Sequence, residues 1–153
     1  MITNQWFLGL DDISDALFIR NKVFVEEQGN PAEAEHDEID KTALHLVVYA
    51  DGAPVGCARM APSEGGFKLS RIAVLKESRG KRYGDLIMRL LLFKAFQMGA
   101  ITVSLDARES AVDFYTRFGF VRNGEPVCGA CQSCLPMTVT PETVVYPSEC
   151  QHE

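Results

Sequence analysis

The stretch from Leu69 to Leu92 constrains this chain most, because it has the pattern of a strand, a turn and a long helix. Leu69 to Leu75 is short, apolar and partly β-branched, which is typical of a buried strand. The next residues are polar, and among them Gly80 tolerates backbone dihedrals that other residues avoid. From Tyr83 to Phe96 the apolar residues run almost unbroken without proline, which predicts a helix buried on most sides.

The turn between this strand and this helix has the chemistry of an anion site. A backbone entering a helix presents unpaired N–H groups, and the helix dipole adds positive potential. Arg79, Lys81 and Arg82 add formal charge, and phosphate is the obvious anion. The spacing from Gly80 to Gly84 is too short for a Walker loop, and the dinucleotide pattern of three glycines is absent.

The remaining segments alternate between strand and helix patterns in the order β-α-β-β-β-α-β-α-β-β. This order predicts an α/β (α+β) fold with a central mixed, mostly antiparallel sheet of about seven strands. Two of its connections are helical crossovers, so helices must lie on both faces. The predicted elements are Ile2–Leu10, a helix capped by Asp11 or Asp12 and ending near Val25, Leu44–Ala50, Val55–Met60, Leu69–Leu75, Tyr83–Phe96, Ile101–Leu105, Ser110–Phe118, Phe120–Val121 and Leu135–Val139.

Length and charge exclude several classes of protein. With 153 residues we expect one domain over 1–140 and an irregular tail over 141–153. The formal charge of −6 and the lack of a basic patch outside the turn exclude a nucleic-acid binder, and acidity favours a cationic partner such as an amine. No signal region or long apolar run is visible, so we expect a cytoplasmic protein that does not enter a membrane.

Three motifs carry a family resemblance. Arg79 to Gly84 resembles the [QR]-x-x-G-x-[GA] pyrophosphate loop of the GNAT N-acetyltransferases, with Arg82 at the inner glycine. Ala111 to Phe120 is similar to their A-x-x-[FL]-Y-x-x-x-G-F motif. Ile19 to Gln28, with the acidic segment after it and the strand beginning at His45, is similar to a subgroup of small bacterial GNAT proteins.

The resemblance implies a cofactor and a set of site residues. In the family, the strand before the loop offers backbone groups to the pantetheine arm and the acetyl carbonyl of acetyl-CoA, and the loop amides hold the pyrophosphate. The matching positions are Ile72, Ala73 and Val74 on the strand, and Arg79, Gly80, Lys81, Arg82, Tyr83 and Gly84 in the loop. Tyr115 matches the tyrosine that protonates the departing thiolate.

The acceptor amine also has to lose a proton, because an alkyl amine is almost wholly protonated near pH 7. Glu27 is the first candidate for the base, followed by Glu26, Glu35 and Asp37; alternatively, Glu27 only orders the end of its helix. A charge run such as 33–40 is usually solvated. Further candidates are Arg59 and Arg71, which could pair with these acids or bind an acceptor carboxylate, and His45, as a proton relay or a structural histidine.

The five cysteines offer a second site. Cys128, Cys131 and Cys134 have C-x-x-C spacing, and Cys150 or His152 could complete a tetrahedral zinc site. The relatives carry a different segment here, so we favour reduced thiols over zinc or a disulfide and expect no metal in the chemistry.

These observations predict an acetyl-CoA-dependent N-acetyltransferase, moving an acetyl group to a small amine or a peptide amine by direct attack in a ternary complex. The alternative is a non-catalytic sensor or assembly module of GNAT fold that binds CoA or an acyl-CoA. The acceptor is not readable from the sequence. Many relatives form dimers, so a homodimer is one alternative for the oligomeric state of this chain.

Overall fold

Seven strands and three α-helices make up the described part of the chain, which in this computed structural model comprises residues 1–9, 11–127 and 134–148. Leu10, the predicted end of the first strand, lies outside that part. The elements are β1 (Ile2–Leu8), α1 (Ser14–Arg20), β2 (Leu44–Ala50), β3 (Ala53–Ser63), β4 (Gly66–Val74), α2 (Tyr83–Gln97), β5 (Thr102–Arg108), α3 (Val112–Thr116), β6 (Val121–Arg122) and β7 (Cys134–Val139).

The strands form one sheet in the order β1-β2-β3-β4-β5-β7-β6. Every neighbouring pair is antiparallel except β4 and β5, which are parallel and joined by α2 as the crossover. The Asp51-Gly52 hairpin takes positive φ at both residues, as its two-residue turn requires. The predicted mixed, mostly antiparallel fold is confirmed.

The sheet buries apolar side chains on both of its faces. Leu46 and Val48 of β2 pack with Ile87 and Leu91 of α2 on one face. Val47, which points to the opposite face because strand side chains alternate, packs with the residues of α1. The alternation along one strand therefore places α1 and α2 on opposite faces, as the order of elements predicts.

The first helix continues further than the sequence indicates. After Arg20 the backbone changes to a π-helix over Asn21–Glu27, and Gly29 with φ of 81° ends it. The N-cap residue is Ile13, which makes no side-chain cap hydrogen bond, so the prediction that Asp11 or Asp12 caps this helix is wrong. Asp12 lies one residue before the cap and accepts a hydrogen bond from the Ser14 amide at 2.9 Å. π-Helical turns are rare and are found frequently at functional sites. This one ends at Glu27, directly before Gln28, and both residues are exposed.

The central strands separate part of the way along their length. Pairing between β4 and β5 ends at Leu69 opposite Leu105, although β4 continues to Val74 and β5 to Arg108. On its other edge β4 carries one extra residue relative to β3, and Arg71 there has φ of 55°. Such a bulge bends a strand and redirects its side chains. The result is a split in the sheet between β4 and β5.

Candidate active site

Two adjoining cavities lie along the split between β4 and β5. The first has a volume of about 630 Å³ and the second about 520 Å³, which is in the range of small-molecule sites. Four residues line both cavities: Gln28, Ile72, Arg108 and Ala111. A ligand in the first cavity and a ligand in the second can therefore meet at the split.

The predicted cofactor residues come together in the first cavity. Its lining includes every predicted position except Lys81: Ile72, Ala73, Val74, Arg79, Gly80, Arg82, Tyr83 and Gly84. The lining also includes three basic side chains that the sequence analysis missed: Arg89, Arg108 and Arg117. With Asp85 as its one acidic lining residue in the described part of the chain, the first cavity is strongly positive.

The turn before α2 leaves its backbone open to a ligand. The N-cap residue of α2, Arg82, makes no side-chain cap hydrogen bond, and the first amides of a helix have no acceptor within the helix. A Cβ placed on Gly80 would meet nothing within 4 Å, and one on Gly84 would meet the Phe114 ring at 3.6 Å. Arg82 takes the left-handed conformation, with φ of 68° and ψ of 22°, at the position where the family pattern has its inner glycine. The open amides, the helix dipole and the basic side chains fit a pyrophosphate.

Glu27 lies against the start of this turn. Its two carboxylate oxygens accept hydrogen bonds from Arg79 at 2.7 and 2.8 Å, and Arg79 Nε donates to the Val74 carbonyl at 3.0 Å. The hydrogen bond from Arg79 lowers the pKa of Glu27 below its usual value. A carboxylate with a lowered pKa is a weaker base, and Glu27 is absent from the linings of the two cavities.

Tyr115 lines the second cavity, on α3 directly after the motif phenylalanine Phe114. Its ring packs edge-on against Phe114 and Phe120, with centroids 5.2 and 6.0 Å away. Its hydroxyl makes no hydrogen bond to any residue in the described ranges. Burial raises the pKa of Tyr115 to about 12, so the phenol is protonated throughout the neutral range.

The acidic segment after the first helix is only partly solvated, contrary to the expectation for a charge run: Glu35 and Asp40 are buried, whereas Glu33 and Glu38 are exposed. Asp40 is 1% exposed and binds Arg20 with both oxygens, at 3.0 and 3.1 Å. Arg59 donates to the same carboxylate at 3.0 Å. Burial alone would raise the pKa of Asp40, but the two arginines outweigh it and hold that pKa below its usual value. Asp40 thus joins the segment to α1 and β3.

Two more acids of the segment face the second cavity and are paired with arginines. Asp37 binds Arg59 at 2.7 Å and Arg71 at 3.2 Å, and Glu35, which is buried, lies 3.2 Å from Arg71. The prediction that Arg59 and Arg71 pair with these acids is confirmed. Both carboxylates are already engaged in ion pairs with arginines, which weighs against Glu35 and Asp37 as the base.

His45 is buried away from the cavities. Its Nε2 lies 3.0 Å from the Asp40 carbonyl, so that nitrogen carries the hydrogen. Burial lowers the pKa of His45 and keeps the ring neutral. This geometry favours the structural interpretation of His45 over the proton relay.

Two polar residues of β5, Asp106 and Arg108, line the second cavity, and no sequence motif predicted them. Asp106 binds Lys68 of the neighbouring strand β4 at 2.8 Å, and Arg108 lies two residues further along on the same face. The signal that could have found them is the alternation of polar and apolar residues from Ser104 to Arg108. That alternation shows which side chains leave the core but not that they face a cleft.

The cysteine cluster falls mostly outside the described residues, where Cys128, Cys131, Cys150 and His152 all lie. Cys134 is buried at the start of β7 and disulfide-bonded, which corrects the preference for a reduced thiol at this position. In residues 1–9, 11–127 and 134–148 no group of three metal-ligating side chains occurs. Cys57 is a buried free thiol whose pKa is raised to about 12 by burial, so it is unreactive.

None of the helices in the described ranges has the length and apolar character needed to cross a membrane.

Comparisons with known proteins show that this chain is similar to acetyltransferases. The family model described as the acetyltransferase (GNAT) domain matches residues 10–141. A Bacillus subtilis (strain 168) protein named uncharacterized N-acetyltransferase YjcF is 41% identical over 110 residues, which are 72% of this chain and 79% of that protein.

Solved structures share the fold. An acyl-CoA N-acyltransferase from Pseudomonas aeruginosa superimposes with a TM-score of 0.80 at 23% identity, over 90% of this chain and 99% of that one. A GNAT family acetyltransferase from Elizabethkingia anophelis, solved with acetyl-CoA bound, superimposes with a TM-score of 0.66 at 14% identity, over 91% of this chain and 97% of that one.

Proposed function

This chain belongs to the GNAT acetyltransferase family, and from that premise we propose that it transfers an acetyl group from acetyl-CoA to a primary amine by direct attack in a ternary complex. Membership shows an acyltransferase of acyl-CoA-dependent type. The proposal adds the acetyl group, the amine acceptor, the direct attack and the residues that act. The observation that carries it is the junction of the two cavities at the split between β4 and β5.

The first cavity is the proposed donor site. Gly80, Arg82, Tyr83 and Gly84 offer backbone amides to the pyrophosphate at the start of α2, and Lys81 completes the loop. The support for this assignment is the absence of a side-chain cap at Arg82, the open space beside Gly80, and a lining with five basic residues and one acidic residue. When bound there, acetyl-CoA supplies the activated thioester.

The strand β4 is proposed to orient the thioester. Beyond Leu69 it no longer pairs with β5, so the backbone edge that a neighbouring strand would occupy faces the split. Ile72, Ala73 and Val74 lie on this edge and line the first cavity. Their backbone groups are placed to bind the pantetheine arm and to donate to the oxyanion that forms as the amine attacks.

Tyr115 is proposed to assist the departing thiolate from the second cavity. Because its pKa is about 12, its phenol holds the proton more tightly than an ordinary thiol, whose pKa is near 8.5. The role we assign is therefore hydrogen-bond donation to the sulfur as the C–S bond breaks, with the proton transferred only as negative charge develops there. The packing of the ring against Phe114 and Phe120 supports it by holding the hydroxyl in one place.

The next assignment concerns the group that takes the proton from the acceptor amine. Glu27 was the first candidate from the sequence, but its pair with Arg79 favours the alternative that it orders the helix end and the loop. Glu26 forms contacts with Asn21 and Lys22 at the surface, outside the two cavity linings. We therefore propose that the acceptor amine loses its proton to water in the second cavity, which is open to solvent beside Asp37 and Asp106.

The experiment that tests this function is a donor and acceptor screen on the purified full chain. Acetyl-CoA binding is measured by isothermal calorimetry, and CoA thiol release is followed over a library of primary amines with mass-spectrometric detection of the acetylated product. Binding with product formation is the expected result. Binding without turnover on any amine would favour the non-catalytic sensor, and absence of binding would contradict the assignment of the first cavity.

A further inference from the structure

The second cavity has an excess of positive charge, although the whole chain is acidic. Its lining contains four basic side chains and three acidic ones: Arg59, Lys68, Arg71 and Arg108 against Glu35, Asp37 and Asp106. The net charge of the protein therefore misleads about the acceptor. A polyamine or other polycation would meet one more positive than negative side chain in this cavity.

Three of the four basic side chains in this lining form ion pairs with carboxylates of the protein. Arg59 and Arg71 bind the acidic segment, at 2.7 Å and 3.2 Å from Asp37. Lys68 binds Asp106 at 2.8 Å. Arg108 forms no ion pair or hydrogen bond with its side chain among residues 1–9, 11–127 and 134–148. It supplies the unmatched charge of the second cavity.

Arg108 also lies at the junction of the two cavities, which is where the proposed reaction has to occur. It is the last residue of β5, beyond the point at Leu105 where β5 leaves β4, and it lines both cavities. Its guanidinium offers several donors in a plane that matches a carboxylate. An anionic group bound to it would lie within one side-chain length of the junction, where the amine meets the thioester.

We propose that Arg108 binds an anionic group of the acceptor, and that the acceptor is a small primary amine with a carboxylate a few bonds from its amino group. This inference rests on the proposed function and specifies its substrate class. Arg108 is a binding residue in it: the carboxylate stays unreacted, the amine nitrogen forms the new bond to the acetyl carbon, and the thiol of CoA leaves with a proton.

The test compares amino carboxylates with alkylamines in which a methyl group replaces the carboxylate. The pairs are glycine with ethylamine, β-alanine with propylamine, 4-aminobutanoate with butylamine and 6-aminohexanoate with hexylamine, and kcat/KM is measured at saturating acetyl-CoA. Wild type, Arg108→Ala, Arg108→Lys and Arg122→Ala are compared. Arg122 is an exposed arginine on β6 outside the two cavity linings, so Arg122→Ala is the matched control.

In wild type we expect the carboxylate member of the short pairs to be preferred by about 10- to 100-fold, as for a charge-assisted hydrogen bond. The preference should shrink along the series of longer spacers. Arg108→Ala should remove most of it, Arg108→Lys should retain part of it, and Arg122→Ala should leave it unchanged. Because each variant is tested on the same compounds, differences in amine basicity cancel between proteins.

Several results would overturn the proposal. One is an equal loss on both members of each pair in Arg108→Ala; another is a rise in the KM for acetyl-CoA alone, which would assign Arg108 to the donor. A wild-type preference for alkylamines or diamines, or no turnover on any amino carboxylate, would also contradict it. Turnover on other amines would then keep the proposed function while removing this substrate class.

Discussion

Glu27 and Arg79 form a two-pronged ion pair, in which Arg79 Nη1 lies 2.7 Å from Glu27 Oε2 and Nη2 lies 2.8 Å from Glu27 Oε1. The pair joins the end of the π-helix to the first residue of the loop before α2. The same arginine donates to the Val74 carbonyl at the end of β4. Three elements that line the first cavity are thus tied together at one guanidinium.

The first prediction distinguishes two roles for Glu27: positioning the loop before α2, or acting as the general base. Glu27→Gln should raise the KM for acetyl-CoA several-fold with a small change in kcat, because the loop loses its anchor while the chemistry keeps its groups. The pKa of Glu27 is lowered, so the pair forms above the ordinary carboxyl pKa and is lost as pH falls through the lowered value. The rate profile at neutral and alkaline pH should therefore be unchanged.

Steady-state kinetics against pH checks this first prediction, with Glu26→Gln as the matched control on the neighbouring, exposed carboxylate. A large fall in kcat for Glu27→Gln, accompanied by loss of the rising limb of the pH profile, would return Glu27 to the role of base.

The second prediction concerns Tyr115. Tyr115→Phe should lower kcat by about 10²-fold or more and leave the Kd of acetyl-CoA nearly unchanged, because general-acid assistance acts on the leaving group and not on binding. With a pKa of about 12, the wild-type phenol loses its proton only as pH rises toward that value. Tyr115 should therefore cause no fall in rate between pH 7 and about 10.

Calorimetry and single-turnover kinetics measure the two quantities for Tyr115, and Tyr146→Phe, at an exposed tyrosine outside the two cavity linings, is the control. Equal losses of binding and turnover in Tyr115→Phe would show a packing role for the ring.

The third prediction concerns the buried carboxylate of Asp40. Asp40→Asn should lower the free energy of unfolding by about 3–5 kcal/mol, because Arg20 and Arg59 would stay buried without their counter-charge. Since the pKa of Asp40 is lowered, its contribution is fully present above its ordinary pKa of 3.8 and is lost as pH falls through the folded-state value.

Urea denaturation at pH 7 and at acidic pH measures the contribution of Asp40. The exposed acid Glu38 of the same turn provides the control, since Glu38→Gln should change stability little. A loss below about 1 kcal/mol for Asp40→Asn would mean that the buried ion pairs are replaceable.

The fourth prediction uses the left-handed backbone of Arg82. Arg82→Gly and Arg82→Ala both remove the guanidinium, but alanine keeps the cost of a left-handed residue with a Cβ. The free energy of unfolding of the glycine variant should exceed that of the alanine variant by about 1 kcal/mol. Both variants should raise the KM for acetyl-CoA to a similar extent, if the side chain contributes a phosphate contact.

Thermal and chemical denaturation with donor-titration kinetics on the two Arg82 variants measures these effects. Equal stability would contradict the φ of 68°, and an unchanged KM in both variants would remove Arg82 from the phosphate site.

Local patterns predicted much of the fold because they act over a few residues. The almost unbroken apolar run after Tyr83 became α2, the Asp51-Gly52 pair became the hairpin turn, and Gly99 ended the long helix with φ of 93°. The π-helical continuation after Arg20 was missed, since apolar spacing hardly distinguishes it from an α-helix. The cofactor positions implied by the family resemblance, except Lys81, line one cavity, and their binding of acetyl-CoA stays a prediction.

The pairing of most charged residues, unlike the order of helices and strands, could not be predicted from the sequence. The amino-acid sequence by itself determined the order of elements, the two apolar faces of the sheet and the basic turn before α2, because hydrophobic periodicity and turn chemistry depend on near neighbours. Only the tertiary structure decided which charges are matched. Asp40 pairs with buried arginines from α1 and β3, whereas Arg108, at the junction of the cavities, has no charged partner in the described part of the chain. A charge acquires its partner from elements distant in the chain, so spacing along the sequence carries no record of it.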